Sequence, residues 1–222
     1  MSSNSPDIAI VDYGLGNIFS IRQACQAVGL TVQVTSSIED ILRSKAVILP
    51  GVGAFGKAMT TLKGLGLTDA LHEVADSGKT LIGICLGMQL LMSVSYEFGE
   101  HNGLDLIPGR VVRFKDPMHP EYGKLKVPQV GWNQIDLPSS RSFNSWENTL
   151  FRGIPFKSYM YFLHSYHVQP ENENFCFATS LYGDINFCSA IRRENVWGCQ
   201  FHPERSGSIG LQFYKNLAAQ LL

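Results

Sequence analysis

The sequence predicts an α/β domain with a mostly parallel sheet, helices on its two faces and further antiparallel strands in the second half. Three observations carry that expectation. Short β-branched runs alternate with helical periodicity through the first half, which is the pattern of strands joined by crossover helices. Glycine-rich turns sit where the first and third of those runs end, and a glycine-flanked cysteine follows another. From about Leu104 the texture changes to glycine, proline and aromatic residues with period-2 stretches, which read as antiparallel strands.

In chain order, residues 8–11 read as a strand, and Ile18, Ile21, Cys25 and Val28 mark one face of a helix closed by Gly29. Residues 31–34 form the next strand, Ser36 or Ser37 caps a short helix, and residues 46–49 form a buried strand ending in Pro50-Gly51-Val52-Gly53. Two helical stretches then lead to a strand at 80–84 and a helical run at 86–94. Right-handed crossovers place the helices on both faces, and functional loops are expected at the strands' carboxyl ends. In the second half, 159–168 and 175–181 read as strands, 138–145 as a polar surface loop, and 209–222 as a helix. In that helix Leu211, Tyr214, Leu217, Ala218 and Leu221 share one stripe. No repeat or linker divides the chain, so residues 1–222 are expected to form a single domain, with the polar residues 1–6 disordered.

Composition narrows the function classes. With 222 residues, 45% hydrophobic and 17% charged, the chain can bury a sizeable core. A formal net charge of −1 provides no global field for nucleic acid or an anionic membrane, so neither is expected as a partner. No apolar run has the length of a membrane span, and a cytoplasmic location is expected. The five cysteines are odd in number and form no CxxC pair, which suits reduced thiols better than a disulfide framework. Cys199 and His202 with His164 and His167 have the right ligand types for zinc, but no second cysteine pair completes a recognised spacing; neither a metal nor another cofactor is expected.

The sharpest chemical signal is Gly83-Ile84-Cys85-Leu86-Gly87, a nucleophile at a strand-to-helix turn with glycine two residues to either side. A tight elbow brings neighbouring backbone close to the nucleophile, where side chains would clash. The cysteine also precedes a helix, whose first N–H groups favour thiolate. A structural buried cysteine with incidental glycines is the plainer alternative. Phe201-His202-Pro203-Glu204 supplies a base with an orienting carboxylate: in an extended segment, residues two apart share a face.

Together, GICLGMQ at 83–89 and QFHPE at 200–204 resemble the class I glutamine amidotransferase family, and the resemblance covers nearly the whole chain. It implies a doubly wound α/β fold and a catalytic triad of Cys85 as nucleophile, His202 as acid and base, and Glu204 as its partner. Within the family, the segments at 12–17, 49–55, 131–133 and 164–166 resemble glutaminase subunits of imidazole glycerol phosphate synthase, which work as heterodimers with a separate cyclase. Glutamine is then the substrate and ammonia the product passed on. Arg205 departs from the lysine common at that position.

Elbow geometry makes the Leu86 N–H one oxyanion donor. The resemblance assigns the second to the segment Gly51, Val52 and Gly53, where a peptide flip can exchange a carbonyl for an N–H. Gln89, one helical turn after Cys85, is expected to bind the head group of glutamine, with the backbone around Ser165 and Tyr166 as a weaker candidate. Tyr13, Gly16, Asn17 and Trp132 are implied to face the partner or the ammonia exit, although Trp132 also suits a plain core position. Gly14-Leu15-Gly16 is not a dinucleotide loop, since Phe19 stands where the third glycine belongs. His164 and His167 suit strand or core positions.

Three alternatives stay open at the level of sequence. Residues 97–104 resemble subunits that feed a sugar-amidating synthase in surface-polysaccharide assembly. A non-catalytic module of the same fold is a second possibility, and another thiol hydrolase a third, because fold and triad alone do not choose the acyl substrate.

Overall fold

The computed structural model describes residues 5–221, the side chain of Phe143 excepted; the expected disorder at residues 1–4 and the last helical position, 222, lie outside it. The first half runs β1 (Ile8–Val11), α1 (Ile18–Ala27), β2 (Val32–Thr35), α2 (Ile38–Arg43), β3 (Ala46–Leu49), α3 (Phe55–Gly64), α4 (Leu67–Asp76), β4 (Thr80–Ile84) and α5 (Leu86–Leu90). The second half adds β5 (Met92–Ser95), β6 (His101–Asn102), β7 (Ile107–Arg113), β8 (Met118–His119), β9 (Gly123–Lys124) and β10 (Gln129–Ile135). It continues with β11 (Ser158–His164), β12 (Tyr166–Pro170), β13 (Cys176–Tyr182), β14 (Ile185–Arg193), β15 (Val196–Cys199) and the closing helix α6 (Gly207–Leu221).

The central sheet has the order β2-β1-β3-β4-β15-β14-β12-β7-β5-β6, with β13 also paired to β14. Every contact from β2 through β15 is parallel, and the pairs of β14 with β15, β13 and β12 are antiparallel. This is the predicted arrangement of a parallel core with antiparallel additions.

Period-2 alternation divides the strands between two hydrophobic layers. Ile8 and Ile10 of β1, with Ile48 of β3 and Ile82 and Ile84 of β4, face the layer that receives Ile21 and Cys25 of α1 and Phe213, Tyr214 and Leu217 of α6. Ala9, Val11, Val47, Leu49 and Leu81 face the opposite layer, which receives Ile41, Phe55, Leu62, Leu71 and Val74 of α2, α3 and α4. Side chains of this kind contribute roughly 1.5–3 kcal/mol each when fully buried. The β1 run Ile-Ala-Ile-Val is buried throughout because both faces are covered.

Two expected elements are corrected. The run at 86–94 is helical only to Leu90; Met92–Ser95 is strand β5, paired in parallel with β7. Its apolar residues up to Met92 are all buried, so helical and extended patterns look alike and pairing decides. The stretch at 159–168 is two strands broken at Ser165: β11 leaves the central sheet to pair with β10 alone, and β12 joins β7. The polar loop at 138–145 stands as far as Ser142 and then enters a 3-10 turn at Phe143–Trp146. That turn sinks Trp146 into the core, its indole N–H bonded to the Phe177 carbonyl.

Candidate active site

β4 and β15 lie side by side in parallel register, Ile84 beside Cys199, so their next residues enter one cleft together. Cys85 leaves β4 with φ 56° and ψ −111°, a conformation that L residues seldom adopt and that persists only where packing enforces it. The enforcement is steric. A Cβ on Gly87 would stand 1.9 Å from the Leu49 carbonyl oxygen, and one on Gly83 2.6 Å from the Gly87 carbonyl. The two glycines flanking the cysteine touch each other across the turn, and no larger residue fits either place.

Because α5 has only five residues, its influence on Cys85 comes from its first N–H groups more than from a long dipole. Leu86 is its first residue, so its N–H has no intrahelical acceptor and remains available for an oxyanion.

His202 is extended, but the chain then turns: Pro203–Arg205 is a 3-10 turn with proline at its start. The expected extended pairing of His202 with Glu204 is therefore replaced by a turn that folds the carboxylate back onto the ring. Proline tolerates this position because its missing N–H would be unused there. His202 Nδ1 and Glu204 Oε1 are 2.8 Å apart, and the glutamate side chain is fully buried. The other ring nitrogen is thereby left to Cys85, which lines the same cavity. Burial pushes the imidazole toward neutrality, but the hydrogen bonds and charges of Cys85 and Glu204 override it and hold its pKa at about 10. The backbone of His202 is fixed on both sides: its N–H donates to the Tyr161 carbonyl at 2.9 Å, and its carbonyl accepts from the Ser206 hydroxyl at 2.6 Å.

Cys85 and His202 open into a cavity of about 200 Å³ with Val52, Gly53, Leu86, Gln89, Glu97, Leu163, His164, Ser165 and Tyr166. A larger groove of about 880 Å³, between Arg113 and the β8–β9 hairpin, contains none of Cys85, His202 and Glu204. Gln89 is buried; its side-chain amide donates to the Tyr166 carbonyl at 3.1 Å and to Gln200 Oε1 at 2.9 Å. Both amide protons are spent, and its oxygen alone is left to meet a substrate as acceptor. The Tyr166 carbonyl also meets the His164 ring at 2.9 Å, which leaves it little capacity to hold a head group. Burial holds His164 neutral, its pKa down at about 3, and lowers that of His167 in the same way.

The Gly51–Gly53 segment is a loop. Gly51 does not line the cavity; it packs against Gly87, Leu86 and the Tyr13 hydroxyl, each within 2.8 Å of where its Cβ would be. Gly53 has φ +99° and open space around it, and Val52 is exposed. Tyr13 is buried, a correction to any place on the partner-facing surface; its hydroxyl donates to the Pro50 carbonyl at 2.7 Å and anchors the root of this loop. Gly16 packs on Pro50, and Asn17 reaches inward to Glu204 Oε1 at 3.5 Å. Trp132 does lie at the surface, 57% exposed. Arg205 stacks its guanidinium 4.7 Å over the Tyr161 ring, a planar contact that a lysine would make differently.

Two residues at the site were not singled out from sequence. Glu97 places a carboxylate in the cavity while accepting the Phe55 N–H at the start of α3, 2.5 Å away. Gln200 sits between Gln89 and Cys85, its Nε2 3.7 Å from the sulfur. Only its place in the QFHPE run could have drawn attention to it.

The family described as Glutamine amidotransferase class-I matches residues 9–219. This chain is a class I glutamine amidotransferase. The imidazole glycerol phosphate synthase subunit HisH of Chlorobium luteolum is 44% identical over 211 residues, 95% of this chain and 98% of that protein. The protein of the same description from Moorella thermoacetica is 45% identical over 209 residues, 94% and 92% of the two chains. Solved structures share the fold: a crystal structure of a glutamine amidotransferase has TM-score 0.69 at 18% identity, covering 96% of this chain and 99% of that one. The structure of PurLQS from Thermotoga maritima has TM-score 0.71 at 16% identity, covering 98% and 100%.

Proposed function

We propose that this chain is the glutaminase subunit of imidazole glycerol phosphate synthase, hydrolysing glutamine and passing ammonia to a separate cyclase for histidine biosynthesis. The observation that carries the hydrolysis is Cys85 assembled with His202 and Glu204 at a small cavity. The Cys85 thiolate attacks the side-chain carbon of glutamine, and the oxyanion is met by the Leu86 N–H. The His202 imidazolium gives its proton to the departing nitrogen, ammonia leaves, and a glutamyl thioester remains. His202 then takes a proton from water, hydroxide adds to the thioester, and glutamate departs with the thiolate restored. The cavity can orient the other end of the substrate through the Glu97 carboxylate, which suits the α-ammonium, and the Gln89 oxygen.

The docking surface is proposed on the outer face of the β10–β11 hairpin. Cross-strand neighbours Val130 with Leu163 and Trp132 with Tyr161 stand on that face, and Val130, Trp132, Tyr159 and Leu163 are all exposed. A contiguous apolar patch of this kind marks an interaction surface. Its strand is wired to the chemistry from behind: the Tyr161 carbonyl holds the His202 amide, and the Leu163 carbonyl lies 3.8 Å from the Cys85 sulfur. Pressure on the hairpin therefore reaches both reacting residues. The open surroundings of Gly53 leave the adjoining loop room for a peptide flip that supplies the second oxyanion donor.

The test is glutamate release by the purified chain with and without an imidazole glycerol phosphate synthase cyclase and its nucleotide ligand, with Cys85→Ala as control. A Cys85-dependent rise of at least roughly tenfold is expected, within ordinary coupling energies. Folded protein that the cyclase does not stimulate would transfer the assignment to a different synthase, such as one that amidates a sugar.

A further inference from the structure

Gln200 is completely buried, and a buried primary amide needs partners for its oxygen and its nitrogen. It has one on each side: Oε1 accepts from Gln89 Nε2 at 2.9 Å, and Nε2 is 3.7 Å from Cys85 Sγ. We infer that Gln200 is a catalytic residue of this site, donating a hydrogen bond that holds the Cys85 sulfur as a thiolate while it fixes the amide of Gln89 for substrate. This rests on the glutaminase reading and deepens it.

The orientation of the amide chain follows from its far end. The Tyr166 carbonyl can only accept, so Gln89 must turn its nitrogen toward it, and the same nitrogen then donates to Gln200. Gln200 is left with its oxygen toward Gln89 and its nitrogen toward the sulfur. Turning Gln200 round would set nitrogen against nitrogen on one side and oxygen against a thiolate on the other. Turning both amides would place the Gln89 oxygen against the Tyr166 carbonyl. One direction alone satisfies every group, and it ends in an N–H on Cys85.

The register of the sheet makes this contact possible, because Gln200 follows β15 as Cys85 follows β4. Its backbone is secured by an N–H donated to the Ser189 carbonyl on β14 at 2.9 Å. Other titratable groups also face the sulfur or share its cavity: His202, Tyr13 from the turn after β1, Cys199 on β15, and Glu97, His164 and Tyr166. Of these, His202 offers the opposite charge, but it must surrender its proton during turnover. Gln200 does not titrate, so its donor persists through both half-reactions.

The test reads Cys85 directly, without glutamine or partner. The thiolate displaces iodide from iodoacetamide, forming an S–C bond, and the alkylation rate at Cys85, followed by peptide mass spectrometry across pH, gives the midpoint of thiolate formation. Gln200→Met keeps the volume and removes the N–H; Gln200→Glu keeps the shape and the acceptor for Gln89 but turns a carboxyl oxygen to the sulfur. Both midpoints are expected to move up by about 1 pH unit, the glutamate variant at least as far, as befits a lost hydrogen bond to the charged form. Glutamine turnover in the partner complex should fall about 10- to 100-fold, the scale for loss of one hydrogen bond to a charged group. Either folded variant alkylating with the wild-type midpoint would overturn the assignment. Because no glutamine enters the alkylation measurement, an error about the substrate would leave that result interpretable.

Discussion

The two halves of the proposed catalytic machinery are held in place by different physics. Cys85 is fixed by exclusion: Gly83, Gly87 and the Leu49 carbonyl leave the elbow one shape, and the cysteine adopts a positive φ in consequence. His202 is fixed by attraction: Glu204 Oε1, the Tyr161 carbonyl and the Ser206 hydroxyl hold ring and backbone through hydrogen bonds. Steric exclusion barely yields to substitution. Hydrogen bonds can be loosened one at a time, and the bonds around His202 run back to the exposed hairpin. The rigid half therefore suits a fixed nucleophile, and the softer half is where a partner can intervene.

The largest expected effect comes from violating the exclusion. Gly87→Ala would press a methyl into the Leu49 carbonyl, and a loss of more than ~4 kcal/mol, or failure to fold, is expected in urea unfolding. A variant within ~1 kcal/mol of wild type would show that the elbow relaxes. On the attractive half, Glu204→Gln keeps the shape and removes the charge. Stability should change little by comparison, while kcat for glutamine falls about 10²- to 10⁴-fold, as in other triads that lose their orienting carboxylate. The His202 pKa, now held at about 10, should fall in an NMR titration of the same variant. An unchanged titration would mean that the carboxylate only orients the ring.

Trp132→Ala probes the surface that reaches the softer half. With more than half its area exposed, Trp132 should cost little stability in the isolated chain. Affinity for the cyclase should fall by about 2 kcal/mol, a typical hot-spot loss, in a calorimetric titration. Equal affinity would place the interface elsewhere.

His164 gives a pH test with a defined sign. Its folded pKa of about 3 lies below the unfolded value near 6.5, so the unfolded chain binds the extra proton between those limits. This contribution to stability is present above pH ~6.5 and declines toward pH ~3, with a slope of at most ~1.4 kcal/mol per pH unit. His164→Gln should flatten that part of the stability–pH curve measured by denaturant unfolding. The smallest effect concerns the strained residue itself. At φ 56° alanine retains the strain and glycine relieves it, so Cys85→Gly should be more stable than Cys85→Ala by about 1 kcal/mol. The reverse order in thermal unfolding would show that the elbow carries no such strain.

Legibility in the sequence follows the range of the forces involved. The parallel core, the α1 stripe, the Ser37 cap and most of the α6 stripe could be read because periodicity and capping are local, although Phe213 stands in the core where Leu211 was expected. The elbow could be read because a steric demand on Gly83 and Gly87 is written within five residues. The end of α5 could not, since the buried run continuing through Met92 fits helix and strand equally until β7 pairs with it. The inward turn of Tyr13 and Asn17 was also hidden, because it depends on Pro50 and Glu204, which are distant in the chain.

The sequence by itself marked Cys85, His202 and Glu204 as the proposed nucleophile, base and orienting carboxylate, and determined the alternation that wraps two apolar layers around a sheet. Each of these is encoded within a few neighbouring residues. Tertiary structure alone decided that Glu97 enters the cavity, that Gln200 bridges Gln89 to Cys85, and that β11 leaves the sheet to carry an apolar face outward while its carbonyls touch the site. Those outcomes depend on strand order and register, which arise from the packing of the whole chain and leave no local pattern.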